Sequence, residues 1–176
     1  SYYIPGLVMA RLILAQGSAH FAHTDVVETE ALLTNMDLLF ERYCRRVISN
    51  QFSPEGFSVE KVGGSSRAPQ LFLDGTCTME PDILISDSTG HRLVADVKYK
   101  PDSYKVESSD YYQITAYLDA FGCSEGILIF PGRNGQKFER RRTKEGKTVY
   151  EMRIPLNSYT ETEDILAKGV SRVLNS

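Results

Sequence analysis

A chain of 176 residues, 41% hydrophobic and 24% charged, has the composition of a globular domain and enough length to bury one sizeable core. Its formal net charge of −3 gives no global attraction to nucleic acid or to an anionic membrane, so a polyanionic partner has to be met by a local patch. Three cysteines with no CxxC pair, Cys44, Cys77 and Cys123, argue against a disulfide framework, a zinc ribbon or a four-thiolate iron–sulfur cluster and fit a reducing, cytoplasmic setting.

The first apolar run, IPGLVMARLILA, reads as a buried helix from about Pro5 to Gln16. Arg11 interrupts it and it falls short of the roughly 20 residues a membrane helix needs, so no membrane partner is expected. The chain opens on helical letters without a methionine, and the expectation is the C-terminal part of a longer protein. A second helix is predicted from about Asp25 or Thr34 to Ile48, with Met36, Leu39, Phe40, Tyr43 and Val47 on one face. FSVEKV alternates like a strand and GGSSRAP reads as a loop. PDILISD and RLVADVKYK are two strands joined by the turn letters Ser88, Thr89 and Gly90. SSDYYQITAYLDAF predicts a serine-capped helix over Ser108 to Phe121, closed by Gly122. EGILIFPG has the continuous apolar character of a strand buried on both faces, KTVYEMRIP reads as a further strand, and ETEDILAKGVSRVL as a closing amphipathic helix. The sum is one α/β domain over 1–176, a central mixed sheet flanked by helices. It divides into a helical lead-in (1–50), a sheet core (57–155) with its helix at 108–121, and a closing helix (161–174).

The chemistry concentrates in the paired strands. Residues two apart on a strand share a face, so Asp96, Lys98 and Lys100 project together while Val97 points away. Antiparallel pairing through the Ser88–Gly90 turn brings Asp82 level with the end that holds Asp96 and Lys98. Two carboxylates in one small site repel unless a cation lies between them, and hard oxygen donors of this kind suit Mg²⁺, with Mn²⁺ able to substitute. Such a site, with Lys98 to orient a nucleophile or offset charge, is equipped for phosphodiester hydrolysis.

Pro81-Asp82, a hairpin spacer, then Asp96-Val97-Lys98 resembles the PD-(D/E)xK nuclease superfamily with its restriction-endonuclease-like core. QITAY places Gln113 and Tyr117 one helical turn apart, similar to the QxxxY of RecB-type relatives, and LLFERYCRR offers Glu41 on a preceding helix. The ordered set NMDLLFER, PDI, DVKY and DYYQITAYL is similar to McrC-like nuclease subunits of the McrBC 5-methylcytosine restriction systems. That resemblance implies a DNA endonuclease with Mg²⁺ held by Asp82, Asp96, the Val97 carbonyl and Glu41. It implies a nucleophile served by Lys98, and a site or DNA strand steadied by Gln113 and Tyr117. An McrB-like AAA+ GTPase motor is the implied partner and double-stranded DNA the substrate, with a transient dimer for cutting both strands.

Other readings stay open at this stage. Glu41 can equally be a glutamate paired with Arg42, Arg45 or Arg46. Lys100 is either a phosphate contact or an exposed strand-end lysine. Between Arg133 and Arg153 eight cations face three glutamates. Arg133, Lys137, Arg140, Arg141, Arg142 and Lys144 of this stretch either grip a DNA backbone or line a solvated hairpin. His20 and His23 lack a third ligand nearby, and EGKT (145–148) lacks the glycine and leading strand of a phosphate loop. The competing functions are a RecB-like exonuclease of repair or CRISPR type and an inactive nuclease-fold scaffold that regulates a motor GTPase.

Overall fold

The computed structural model describes residues 25–63, 68–90, 92–132 and 137–176. The helix expected over Pro5 to Gln16, the two histidines and Arg133 lie outside the described residues. Helix α1 runs Asp25–Phe52, four residues past the expected end. Its buried stripe, Phe40, Cys44, Val47, Ile48 and Phe52, keeps helical spacing to the last turn. Pro54, which cannot donate to a helical ladder, then diverts the chain into a short 3₁₀ turn, and Gly56 at φ 94° reverses it.

Six strands follow among the described residues: β1 Ser58–Glu60, β2 Ile83–Ser86, β3 Arg92–Val97, β4 Glu125–Gly132, β5 Lys137–Arg142 and β6 Thr148–Pro155. They form one mixed sheet in the order β1-β2-β3-β4-β6-β5. The pairs β1–β2, β2–β3 and β5–β6 are antiparallel, whereas β4 runs parallel to both β3 and β6. Helix α2, Ser108–Phe121, is the crossover that parallel pairing of β3 with β4 requires. Helix α3, Tyr159–Leu174, closes the chain.

The two-residue period of the strands sorts the core into layers. Ile83, Ile85, Leu93, Ala95, Val97, Ile127 and Ile129 face α1 and α3. Leu84, Val94, Leu128, Phe130 and Val149 face Ile114, Leu118 and Phe121 of α2. Gly126 on β4 lets α2 come close, because a Cβ there would lie 3.1 Å from both Ile114 and Leu118. The buried β4 core and the mixed sheet agree with the expectation from sequence.

Three local expectations need correction. The cap of α2 is Glu107, not Ser108: Glu107 and Asp110 close a reciprocal capping box in which each carboxylate accepts the other residue's backbone N–H. The strand holding Asp96 stops at Val97, because the Lys100 N–H bonds back to the Lys98 carbonyl at 3.0 Å and turns the chain ahead of Pro101. Lys100 therefore leaves the face shared by Asp96 and Lys98, and its ammonium sits 5.7 Å from the centre of the Tyr104 ring. Finally, KFERRR is a full edge strand, β5, in which Phe138 packs against Tyr150 with ring centres 5.2 Å apart.

Candidate active site

Register and one proline build the site. Ile83 stands opposite Ala95, so the residues preceding β2, Asp82 and Pro81, come opposite Asp96 and Val97. Pro81 has no N–H and cannot return a ladder bond to the Val97 carbonyl. The Val97 N–H is instead taken by the Asp82 carboxylate, at 2.8 Å to Oδ2. The ladder therefore ends where the acids begin, with Asp82 anchored by its side chain and the Val97 carbonyl turned to the same gap, since a strand residue directs both its polar groups to one edge.

On the α2 side of β3, Asp96 is only 3% exposed. The Lys98 ammonium lies 3.0 Å from its Oδ2, an ion pair by distance without hydrogen-bond geometry, so that buried oxygen has a charged neighbour and no directed donor. Lys98 donates instead to Gln113 Oε1 at 2.7 Å, and Gln113 Nε2 donates to the Tyr117 hydroxyl at 3.0 Å. The ammonium can only donate, so it fixes which end of the Gln113 amide faces it.

Glu41 approaches from α1 with 8% exposure. Its Oε1 accepts from Arg45 Nη1 at 2.6 Å and from Lys61 Nζ at 2.8 Å, and Arg45 also reaches the Asp82 carbonyl at 3.4 Å. The ion pair with Arg45 is one of the readings the sequence left open for Glu41. Lys61 escapes sequence reasoning because it arrives from another strand. Asp110 was also missed. It is buried, bonded by the Tyr104 hydroxyl at 2.6 Å and by the Glu107 N–H at 3.1 Å, and its charge reaches Asp96 and Lys98.

The acids feel their confinement. Burial, then the neighbouring Asp96 charge, pushes Asp82 up to about 6, although the Val97 N–H works the other way. Burial also raises Asp96, with Lys98 pulling it back. For Lys98 burial acts downward, but Asp96, Asp82 and Asp110 together outweigh it and hold the ammonium charged. Among the described residues no three or more His, Cys, Asp or Glu stand close enough to make a ready-made metal cage. The oxygen donors on offer are the two aspartates and the freed carbonyl.

The cations of the 133–153 stretch stand elsewhere. β5 is three strands from β3, about 14 Å across the sheet. Stepping through the registers, Lys137 comes level with Lys98, Arg142 lies five residues further toward the opposite end, and Lys144 is in the turn beyond. The pleat also divides them, with Arg141 on the α2 face and Arg140 and Arg142 on the other. Arg141 bonds Glu139 at 2.9 Å and Glu151, whose carboxylate also accepts from the Tyr111 hydroxyl. The structure thus gathers Glu41, Asp82, Asp96, Lys98, Gln113 and Tyr117 at one sheet end and leaves Lys100 and the β5 cations apart from them.

Fold and site together define a class: an α/β protein with a mixed sheet in which an interrupted hairpin presents paired aspartates beside a lysine, braced by the crossover helix. The chain belongs to the family of McrBC 5-methylcytosine restriction system components, whose model matches residues 1–131. A solved structure from Thermococcus gammatolerans, a half-complex from the tetradecameric assembly of McrB AAA+ hexamers with bound McrC, is similar at a TM-score of 0.55 and 16% identity. That match covers 78% of this chain and 33% of the other, so the chain spans about a third of the length of its structural relative, and the likeness is one of fold. No curated protein matches the sequence. Among the described residues no helix is long and apolar enough to cross a membrane.

Proposed function

We propose that this chain is the DNA-cleaving domain of a GTP-dependent, modification-dependent restriction system, a PD-(D/E)xK endonuclease that hydrolyses phosphodiester bonds in duplex DNA. The observation that carries this reading is the confinement of the Asp82 and Asp96 carboxylates at one sheet end beside a single ammonium, Lys98, with Asp82 pushed up to about 6. A charge deficit of that kind suits a small divalent ion. Mg²⁺ is commonly held by only one or two carboxylates, completing its shell with water and phosphate oxygens, so the absence of a three-acid cage is compatible with it. Asp82, Asp96 and the Val97 carbonyl would hold it, and bound there it supplies Lewis-acid neutralisation of a phosphate oxygen.

The chain's own side chains do the rest. Lys98, charged and aimed by Gln113, faces the attacking water and offsets negative charge as the phosphorus gains a fifth oxygen. Gln113, itself donating to Tyr117, shares that ammonium with Asp96 and fixes its direction. Asp82, fixed by the Val97 N–H, keeps one carboxylate oriented before substrate arrives. The family assignment and the likeness to an McrB-containing assembly support an AAA+ GTPase of the McrB kind as motor partner.

Plasmid cleavage with Mg²⁺, GTP and such a partner tests the reading. Asp96→Ala, Asp82→Ala and Lys98→Ala should each lower the rate by about 10²–10⁴-fold while circular dichroism stays native. Cutting at the parental rate by Asp96→Ala would overturn it.

A further inference from the structure

We infer that Lys61 and Arg45 form a phosphate-binding site for the DNA strand beside the cleaved bond, an inference that rests on the nuclease reading above. A nuclease needs backbone contacts at its acidic centre, and the β5 arginines lie three strands away from it. The cations that do reach the centre come from its other flank. Lys61 directly follows β1, and Glu60 pairs with Leu84, so Lys61 leaves the sheet level with Ile83, one residue from Asp82. Arg45 reaches the same place from α1 and touches the Asp82 carbonyl. Across the strand ends the order is therefore Lys61 after β1, Asp82 before β2 and Asp96 on β3, with Arg45 reaching Asp82 from α1 and Lys98 two residues beyond Asp96 on its own strand. The two cationic rims stand about two strand spacings apart, roughly 10 Å.

Both rim cations converge on one oxygen, Glu41 Oε1. Each keeps donors in reserve, since an ammonium has three and a guanidinium five. The side chain of Lys61 is 43% exposed and that of Arg45 22%, so the first can swing to a phosphate while the second holds Glu41 in place. Glu80 also lies on this rim, within 3.6 Å of where a Cβ on Gly63 would stand, and supplies a sign control. The site selects a phosphodiester backbone and reads no base.

The test is fluorescence anisotropy of a duplex as a function of salt, using the full chain in an Asp96→Asn background that stops cutting. Lys61→Ala should weaken binding roughly tenfold and lower the slope of log affinity against log salt by about one, with Lys61→Arg restoring both. Lys144→Ala should leave the slope unchanged, and Glu80→Gln should tighten binding. An unchanged slope for Lys61→Ala, with unaltered thermal melting, overturns this inference and leaves the nuclease reading intact. Loss of binding that follows unfolding is separated by Lys61→Gln, which must lower the slope while melting as the parent does. Absence of any duplex binding by the parent overturns both.

Discussion

The two edges of the sheet carry charge in opposite ways. At the β1–β2–β3 edge, Asp82 and Asp96 are confined together at one strand end, and burial with the Asp96 charge pushes Asp82 up to about 6. At the β5–β6 edge a longer run of charge is almost self-contained. Glu151, 8% exposed, is held by Tyr111 and Arg141, Lys147 pairs with Asp119, and Arg153 gives its protons to the carbonyls of Tyr104 and Pro131 while lying over Phe130. The difference teaches that the number of charges in a segment says little about function; whether like charges are forced together says more.

Removing one carboxylate from each edge should therefore have opposite consequences for stability. Asp82 has a higher pKa folded than unfolded, so the folded protein binds an extra proton between about pH 4 and 6, and the metal-free protein loses stability as pH rises through that window. The loss amounts to about 3 kcal/mol by pH 8. Asp82→Asn should abolish it, raising the melting temperature at pH 8 in EDTA by several degrees and flattening the pH profile. Parent and variant melting alike at pH 8 would break the comparison. At the other edge Glu151→Ala leaves Tyr111 and Arg141 without their shared acceptor and should cost about 2 kcal/mol in a urea titration, with no gain at any pH.

Pro81 offers the finest probe. Pro81→Ala restores an N–H opposite the Val97 carbonyl, so β2 can extend its ladder by one bond. A stability change under about 1 kcal/mol is expected, together with Mg²⁺ affinity that falls severalfold by calorimetry. Unchanged affinity would show that the freed carbonyl is no part of the ion's shell.

Much of this was legible in the letters, and the reasons are physical. The β2–β3 hairpin is readable because Asp82 opens one apolar strand and Asp96 and Lys98, two residues apart, interrupt the other, and α2 because Ile114, Leu118 and Phe121 keep helical period around Gln113 and Tyr117. KFERRR carries no strand signal because a half-buried strand is recognised by alternation and this segment has a single apolar residue, Phe138, to alternate with. The extra turn of α1 was missed although Phe52 continues the stripe, since Pro54 rather than Ile48 sets its end. Lys61 could not be found by local pattern at all. Its meeting with Glu41, twenty residues away in sequence, depends on how α1 lies against β1.

Gly126 has a consequence for anyone who would retune this cleft. The helix bearing Gln113 and Tyr117 is seated by what β4 omits, a single methyl beneath Ile114 and Leu118. The gap between the lysine and its brace is thus set from behind, so trimming or enlarging Ile114 would slide the helix and adjust the opening without altering any group that meets substrate.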